Sequence, residues 1–337
     1  MKQNKKGIIV LSVIIVVVIA VITFTTVLQV KSINKATGSK TSAAVIRDSS
    51  IQADTKGYKK EFIAALYIEG VIEEKNYDYD QKWLMDTIHN LKDNKNNVAL
   101  AIYIDSPGGG VYQADEVYLA LQDYKTTGRP VYVYQGPMAA SGGYYISCAA
   151  DQIYANRNTL TGCIGVIFGQ SLDITGLLDK LGIKSKTFHS GRNKTMLSPD
   201  EPLTEEQEAI MQSMCDEAYQ QFVNIVANGR NMKYYEAAKL SDGRLYTAKQ
   251  GLENGLVDRI DSWDNMITVL AEDVLEKPGI KVVEYRKPEE NGGILNMMMS
   301  AASTLQKQEA AAKLGVPTSV IDYYEFDSFP AYLYTGN

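Results

Sequence analysis

Two kinds of spacing alternate along the chain. Short apolar runs end in glycine or polar residues, and between them apolar positions recur every three or four residues. Phe62-Ile63-Ala64-Ala65-Leu66-Tyr67-Ile68 is the first such run, closed by Gly70, and it predicts a buried strand. Residues 81–91 then place Leu84, Met85, Ile88 and Leu91 on one helical face. The alternation continues: 98–104 predicts a strand, 111–124 a helix, 130–134 a strand, and 141–150 a short helix after a tight turn. Residues 152–155 and 164–168 predict further strands, and 173–181 a helix. Such alternation implies parallel βαβ units with right-handed crossovers, an α/β class. A long amphipathic helix follows over 204–226, with Ile210, Met214, Cys215, Ala218, Phe222 and Val226 on one face. Shorter helices over 234–240, 248–252 and 262–275 and a late strand over 281–285 complete the pattern.

The N-terminal stretch fits neither spacing. Residues 8–28 carry no charge, and none of their sides is polar. At about 1.5 Å per residue, such a helix crosses a ~30 Å hydrocarbon core. Cleavable signal peptides have a shorter apolar region of about 7–15 residues, so an uncleaved transmembrane anchor is expected. Lys2, Lys5 and Lys6 precede it and favour a cytoplasmic N-terminus, although Lys31, Lys35 and Lys40 follow. The expected organisation is lysines and anchor over 1–30, a flexible polar tether over 31–60, a folded domain over 61–288 and a C-terminal tail over 289–337. The large folded part is placed outside the cytoplasm.

Composition narrows the function. Over 337 residues, 34 Lys+Arg stand against 40 Asp+Glu, a net charge of −6, which argues against nucleic acid as a partner. Three cysteines make no disulfide framework, and no His/Cys spacing suggests zinc or another cofactor. The chain has only two histidines, His89 and His189, so a histidine base would have to be one of them.

Two loops after predicted strands carry candidate chemistry, because ligands of open α/β sheets bind beyond the C-terminal ends of strands. The first is Asp105-Ser106-Pro107-Gly108-Gly109-Gly110. Its glycines free the backbone to aim N–H groups at one point, an anion or oxyanion site; the plainer alternative is a glycine turn. It lacks the Lys and Ser/Thr of a nucleotide-binding P-loop. The second is Ala139-Ala140-Ser141-Gly142-Gly143, a turn of small residues between strand and helix. It is similar to a nucleophile elbow, with Ser141 exposed at a helix N-terminus and Gly142 N–H as an oxyanion donor. The alternative role for Ser141 is a simple helix cap.

A serine nucleophile needs a base. His189 follows a predicted strand but has no evident acid partner. Lys194, in Ser190-Gly191-Arg192-Asn193-Lys194, can serve if its amine is neutral; otherwise it is a surface lysine. Ser32-Ile33-Asn34-Lys35 matches an S-x-x-K pattern, but the partner motifs of that chemistry are missing.

The motifs occur in an ordered series: Asp105 to Gly110, Ala140 to Tyr144, Thr161-Gly162-Cys163-Ile164-Gly165-Val166, Ser190 to Lys194, Asp242-Gly243-Arg244, and Gly255-Leu256-Val257-Asp258. Together they resemble the signal peptide peptidase A family in its short single-domain form. The resemblance implies a ClpP/crotonase-like fold of repeated β-β-α units with a parallel sheet, preceded by one transmembrane helix. It implies a Ser–Lys dyad with Ser141 as nucleophile and Lys194 as base, and oxyanion donors at Gly108, Gly109 and Gly142. It also implies a ring-like homo-oligomer with each dyad shared between subunits. Cys163 stands where the family often has a serine that orients the lysine; a thiol is a weaker partner. The expected substrates are apolar peptides, including signal-peptide remnants, cleaved at the outer face of the membrane. Two rivals remain: a crotonase-like acyl-CoA enzyme using the same glycine turn, and a non-catalytic immunity-type binder that keeps the fold. The aromatic tail, with Tyr323, Tyr324, Phe326, Phe329, Tyr332 and Tyr334, is either a packed or disordered end or a segment that docks in a neighbouring subunit's groove and limits activity.

Overall fold

The computed structural model describes residues 45–46, 60–169, 171–288 and 331–333. In chain order the elements begin with β1 (Val45–Ile46), β2 (Phe62–Glu69), α1 (Gln81–Asp93), β3 (Asn97–Ser106), β4 (Gly108–Gly110) and α2 (Val111–Lys125). They continue with β5 (Val131–Ala140), α3 (Gly142–Ser147), β6 (Gln152–Ala155), β7 (Leu160–Gly162), α4 (Thr175–Lys180) and α5 (Glu205–Gly229). The remainder are α6 (Tyr234–Leu240), β8 (Leu245–Thr247), α7 (Ala248–Glu253), β9 (Arg259–Ile260), α8 (Trp263–Val269), a π-helical turn (Leu270–Val274), β10 (Lys281–Tyr285) and β11 (Ala331–Leu333).

The centre is a mixed α/β arrangement around a mainly parallel sheet in the order β1-β10-β2-β3-β5-β6-β9. All pairings along that path are parallel. β7 extends the sheet beside the end of β5, and β8 lies antiparallel to β7. Every residue from Phe62 to Ile68 is buried, so β2 needs cover on both faces. Phe62, Ala64, Leu66 and Ile68 pack toward the layer of α1, α2 and α3. Ile63, Ala65 and Tyr67 face the layer of Met266, Ile267, Leu270 and Ala271. Each fully buried Leu, Ile or Phe contributes roughly 1.5–3 kcal/mol of transfer free energy, so this doubly covered strand anchors the sheet.

Helix starts follow the local sequence. Asp80 caps α1 by accepting the Trp83 N–H at 2.8 Å. Thr204 and Gln207 form a reciprocal capping box at the start of α5, as Thr247 and Gln250 do for α7. The buried apolar residues of α5 are in its C-terminal part, Phe222, Val223, Val226 and Ala227. The expected apolar face extends further back, yet Met214 is 43% exposed, because nothing among the described residues covers it.

Three local expectations change. Residues 164–168 do not form a strand; the ladder partner of β5 is the preceding segment, β7. The chain then turns through two left-handed residues, Gly162 (φ 85°) and Cys163 (φ 52°), which end the strand. His189 does not follow a strand, since residues 184–189 have no ladder pairing. The helix expected over 173–181 is shorter, Thr175–Lys180. No helix among the described residues is long and apolar enough to cross a membrane. The expected span over 8–28 and nearly all of the tether lie outside the described residues.

Candidate active site

Ser141 sits at the joint between β5 and α3, at the C-terminal edge of the sheet. Its φ of 51° and ψ of −115° are strained for a residue with a Cβ. Two bonded neighbours hold it there. Its N–H donates to Gly162 O at 2.7 Å, and its carbonyl accepts the Tyr145 N–H at 2.9 Å. The residue is 1% exposed, and its side chain makes no capping bond. A cap role is therefore not what keeps serine here. α3 begins at Gly142, so the Gly142 N–H lies outside the helical ladder and beside the hydroxyl. The close seat needs glycine at 143, where a Cβ would lie 3.1 Å from Ser106 O.

The glycine loop provides the opposite wall. Gly108 O accepts the Ile72 N–H at 2.9 Å, and the Gly110 N–H donates to Ile72 O at 2.7 Å. Adjacent strand residues point their polar groups to opposite sides, so Gly109 turns its N–H and carbonyl away from Ile72. A Cβ on Gly109 would sit 1.9 Å from Ile72 O, so only glycine fits. The Gly108 N–H donates to the buried Ser106 Oγ at 3.1 Å. The free edge of β4 is paired antiparallel with β11, with Tyr332 opposite Gly109. An extended chain segment thus lies along this edge, and β11 also touches α3.

The other sequence candidates are Lys194, the two histidines and Cys163. Lys194 is exposed, in a turn closed by its own N–H to Gly191 O at 3.0 Å. No hydrogen bond joins it to Ser141 in this chain. It belongs to an arm over 171–200 whose apolar side chains stand in the open: Leu177 is 56% exposed, Leu181 63% and Phe188 84%. His89 and His189 are both exposed; the His189 ring pairs with Gly191 O. Cys163 is buried, one residue past the carbonyl that holds Ser141, and its N–H donates to Arg244 O at 2.9 Å. Desolvation pushes its thiol pKa up, so the neutral thiol is the resting form.

The sequence matches Peptidase family S49 over residues 123–276. A protein bearing the name signal peptide peptidase SppA in Enterococcus faecium is 34% identical over 238 residues, covering 68% of this chain and 69% of its own. The chain belongs to this family. A protein named as a protease in Synechocystis sp. is 36% identical over 236 residues, 68% of this chain and 80% of that one. Protease 4 of Haemophilus influenzae is 28% identical over 268 residues, 77% of this chain and 43% of that one. As an S49 peptidase, the protein is a serine hydrolase of peptide bonds.

Several residues that shape the S49 site carry no obvious signal in the sequence. Met138 N–H donates to Asp105 Oδ1 at 3.1 Å, and Thr159 Oγ1 lies within 3.0 Å of Gln135 O and 2.7 Å of Gly136 O. The late motifs act as braces. Gly243 and Arg244 bond the main chain of Ile164 and Cys163, and Asp258 holds both Arg230 and the Ile153 N–H. The motif spacing marks these residues, but only the fold shows that they support the site from behind.

Proposed function

We propose that this S49 peptidase is a membrane-anchored endopeptidase with a Ser141–Lys194 dyad. Its substrates are apolar peptides, signal-peptide remnants among them, cleaved at the outer face of the membrane. In this reading the N-terminus is cytoplasmic, residues 61–288 form a ClpP/crotonase-type domain outside, and the anchor concentrates the enzyme where such peptides emerge. The observation that carries the reading is the strained, buried Ser141 facing a glycine edge along which an extended chain already lies.

The chemistry follows. The neutral Lys194 amine takes the Ser141 proton as Oγ attacks the scissile carbonyl. The oxyanion is met by the N–H groups of Gly142 and Gly109, since that of Gly108 is committed to Ser106. The lysine then returns the proton to the leaving amine, and water cleaves the acyl-enzyme. Exposure of Lys194 and of the apolar arm around it supports a dyad completed by a second copy in a ring-like oligomer. Cys163 takes the lysine-orienting place, and Cys163→Ser is expected to raise turnover at neutral pH.

The test is turnover of an unfolded protein and of fluorogenic apolar peptides by the full chain in detergent. Because only a neutral amine can accept the proton, the rate should rise with pH through the apparent pKa of the dyad. A rate that falls steadily above neutral pH, with the oligomer intact, excludes Lys194 as base. Unchanged biological activity in Ser141→Ala would instead favour the non-catalytic binder, and measurable CoA binding the acyl-CoA enzyme.

The pairing of β11 with β4 also bears on regulation, since the C-terminal segment occupies the edge a substrate backbone needs. Truncation after Ile321 is expected to raise turnover by lowering KM. Unchanged kinetics in an intact truncated oligomer would end that idea.

A further inference from the structure

β3 and β5 run in register until Ile104 lies opposite Gln135, and the pairing resumes with Ser106 opposite Ala139. Asp105 alone therefore faces three residues of β5: Gly136, Pro137 and Met138. This is a bulge in the strand that carries Ser141, ending only three residues before it. Pro137 has no N–H to offer the ladder.

Side chains take over the missing bonds. The half-buried Asp105 carboxylate accepts the Met138 N–H at 3.1 Å. The buried Thr159 hydroxyl grips the other end at Gln135 O and Gly136 O. The Tyr103 hydroxyl closes over Gly136, where a Cβ would lie 2.6 Å from it. The bulge is thus clipped from both sides, and its depth sets where β5 delivers Ser141.

We infer that Asp105 is a positioning residue: its carboxylate replaces the ladder bond lost across the bulge and so fixes the Ser141 hydroxyl against the oxyanion donors. The inference rests on Ser141 being the nucleophile. The substrate edge at Gly109 is held separately, by Ile72. Loosening the bulge therefore misplaces the nucleophile and leaves substrate binding in place. Misplacement of a reacting group by about 1 Å costs about 10²-fold in rate.

Two variants separate geometry from charge. Asp105→Asn keeps an oxygen at the same place, able to accept the Met138 N–H, and loses the charge. Asp105→Glu keeps the charge and moves the oxygen by one methylene. Both are made in the full chain in detergent, with the oligomer verified. Asp105→Asn is expected to keep kcat within about threefold of wild type, while Asp105→Glu loses about 10- to 100-fold in kcat with KM within about twofold. Phosphonylation of Ser141 by a fluorophosphonate should slow by the same factor as kcat. Thr159→Val removes the other grip on the same bulge, so its loss combined with that of Asp105→Glu should be smaller than the product of the two. Wild-type kcat and labelling in Asp105→Glu, while Ser141→Ala is inactive, would overturn the inference. So would an Asp105→Asn protein as impaired as Asp105→Glu, because the charge and not the bond would then matter. Turnover persisting in Ser141→Ala would instead remove the nucleophile assignment itself, and the inference with it.

Discussion

Peptide turnover is expected to fall by about 10⁴- to 10⁶-fold in Ser141→Ala, and by a comparable factor in Lys194→Ala. The first loss removes the attacking oxygen, and the second leaves no base to take its proton. Neither change should damage the fold. Ser141 makes no capping bond that alanine would break, and Lys194 is exposed and bonded only through its main chain. The decisive experiment mixes the two inactive proteins under conditions that exchange subunits. If each site takes its serine from one chain and its lysine from the next, random mixing restores about one quarter of the sites around the ring. A dyad contained in one chain restores none, since every chain then carries one defect. Absence of recovery in oligomers shown to be mixed would therefore sink the shared site. Recovery would make the exposed arm around Leu177, Leu181 and Phe188 the part that delivers the lysine.

A second large effect is expected at Gly109. A Cβ there would lie 1.9 Å from Ile72 O, 2.6 Å from Ile72 C and 2.7 Å from Ile72 N. All three are main-chain atoms, so Gly109→Ala must push β4 off its partner and carry the donor N–H with it. Loss of one preorganised oxyanion donor costs about 10²- to 10³-fold in kcat, which is the expected drop. Gly110→Ala is the control. Its Cβ would meet the flexible end of Gln113 at 2.1 Å, while Ile72 O stays 3.7 Å away. That side chain can swing aside, so kcat should stay within a few-fold. Equal kinetics for Gly109→Ala and wild type would take Gly109 out of the oxyanion site. Equal losses at both glycines would point to general loosening of the loop.

The strands and helices legible in the sequence are those whose signal is local. β2 and β3 are buried on both faces, so each shows as an unbroken apolar run, and α1 and α2 each show a single apolar stripe. The Ser141 turn and the glycine loop are legible too, because small residues in sequence mark a sharp backbone wherever the partner lies. β5 was harder. Its apolar run suggests a stop at Tyr134, yet the strand continues to Ala140, because β7 and the end of β3 supply ladder partners for residues with no strand pattern of their own. Residues 164–168 show the opposite case, since their apolar run buries Ile164 beside the Gly243 turn and forms no strand.

The sequence by itself determined the α/β class, the position of the sharp turn at Ser141, the glycine edge, and the ordered motifs that place the chain among S49 peptidases. The class, the turn and the glycine edge are properties of neighbouring residues, which period and composition encode directly, while the family follows from the resemblance of the ordered motifs. The tertiary structure alone decided that Ser141 is held in a strained conformation by Gly162, that the Gly108 N–H is spent on Ser106, and that Asp105 reaches across 33 positions to Met138. It also decided that Lys194 is exposed while Ser141 is buried. Such facts depend on which distant segments pair and in what register, and a local pattern records that a residue is buried without recording what it is buried against.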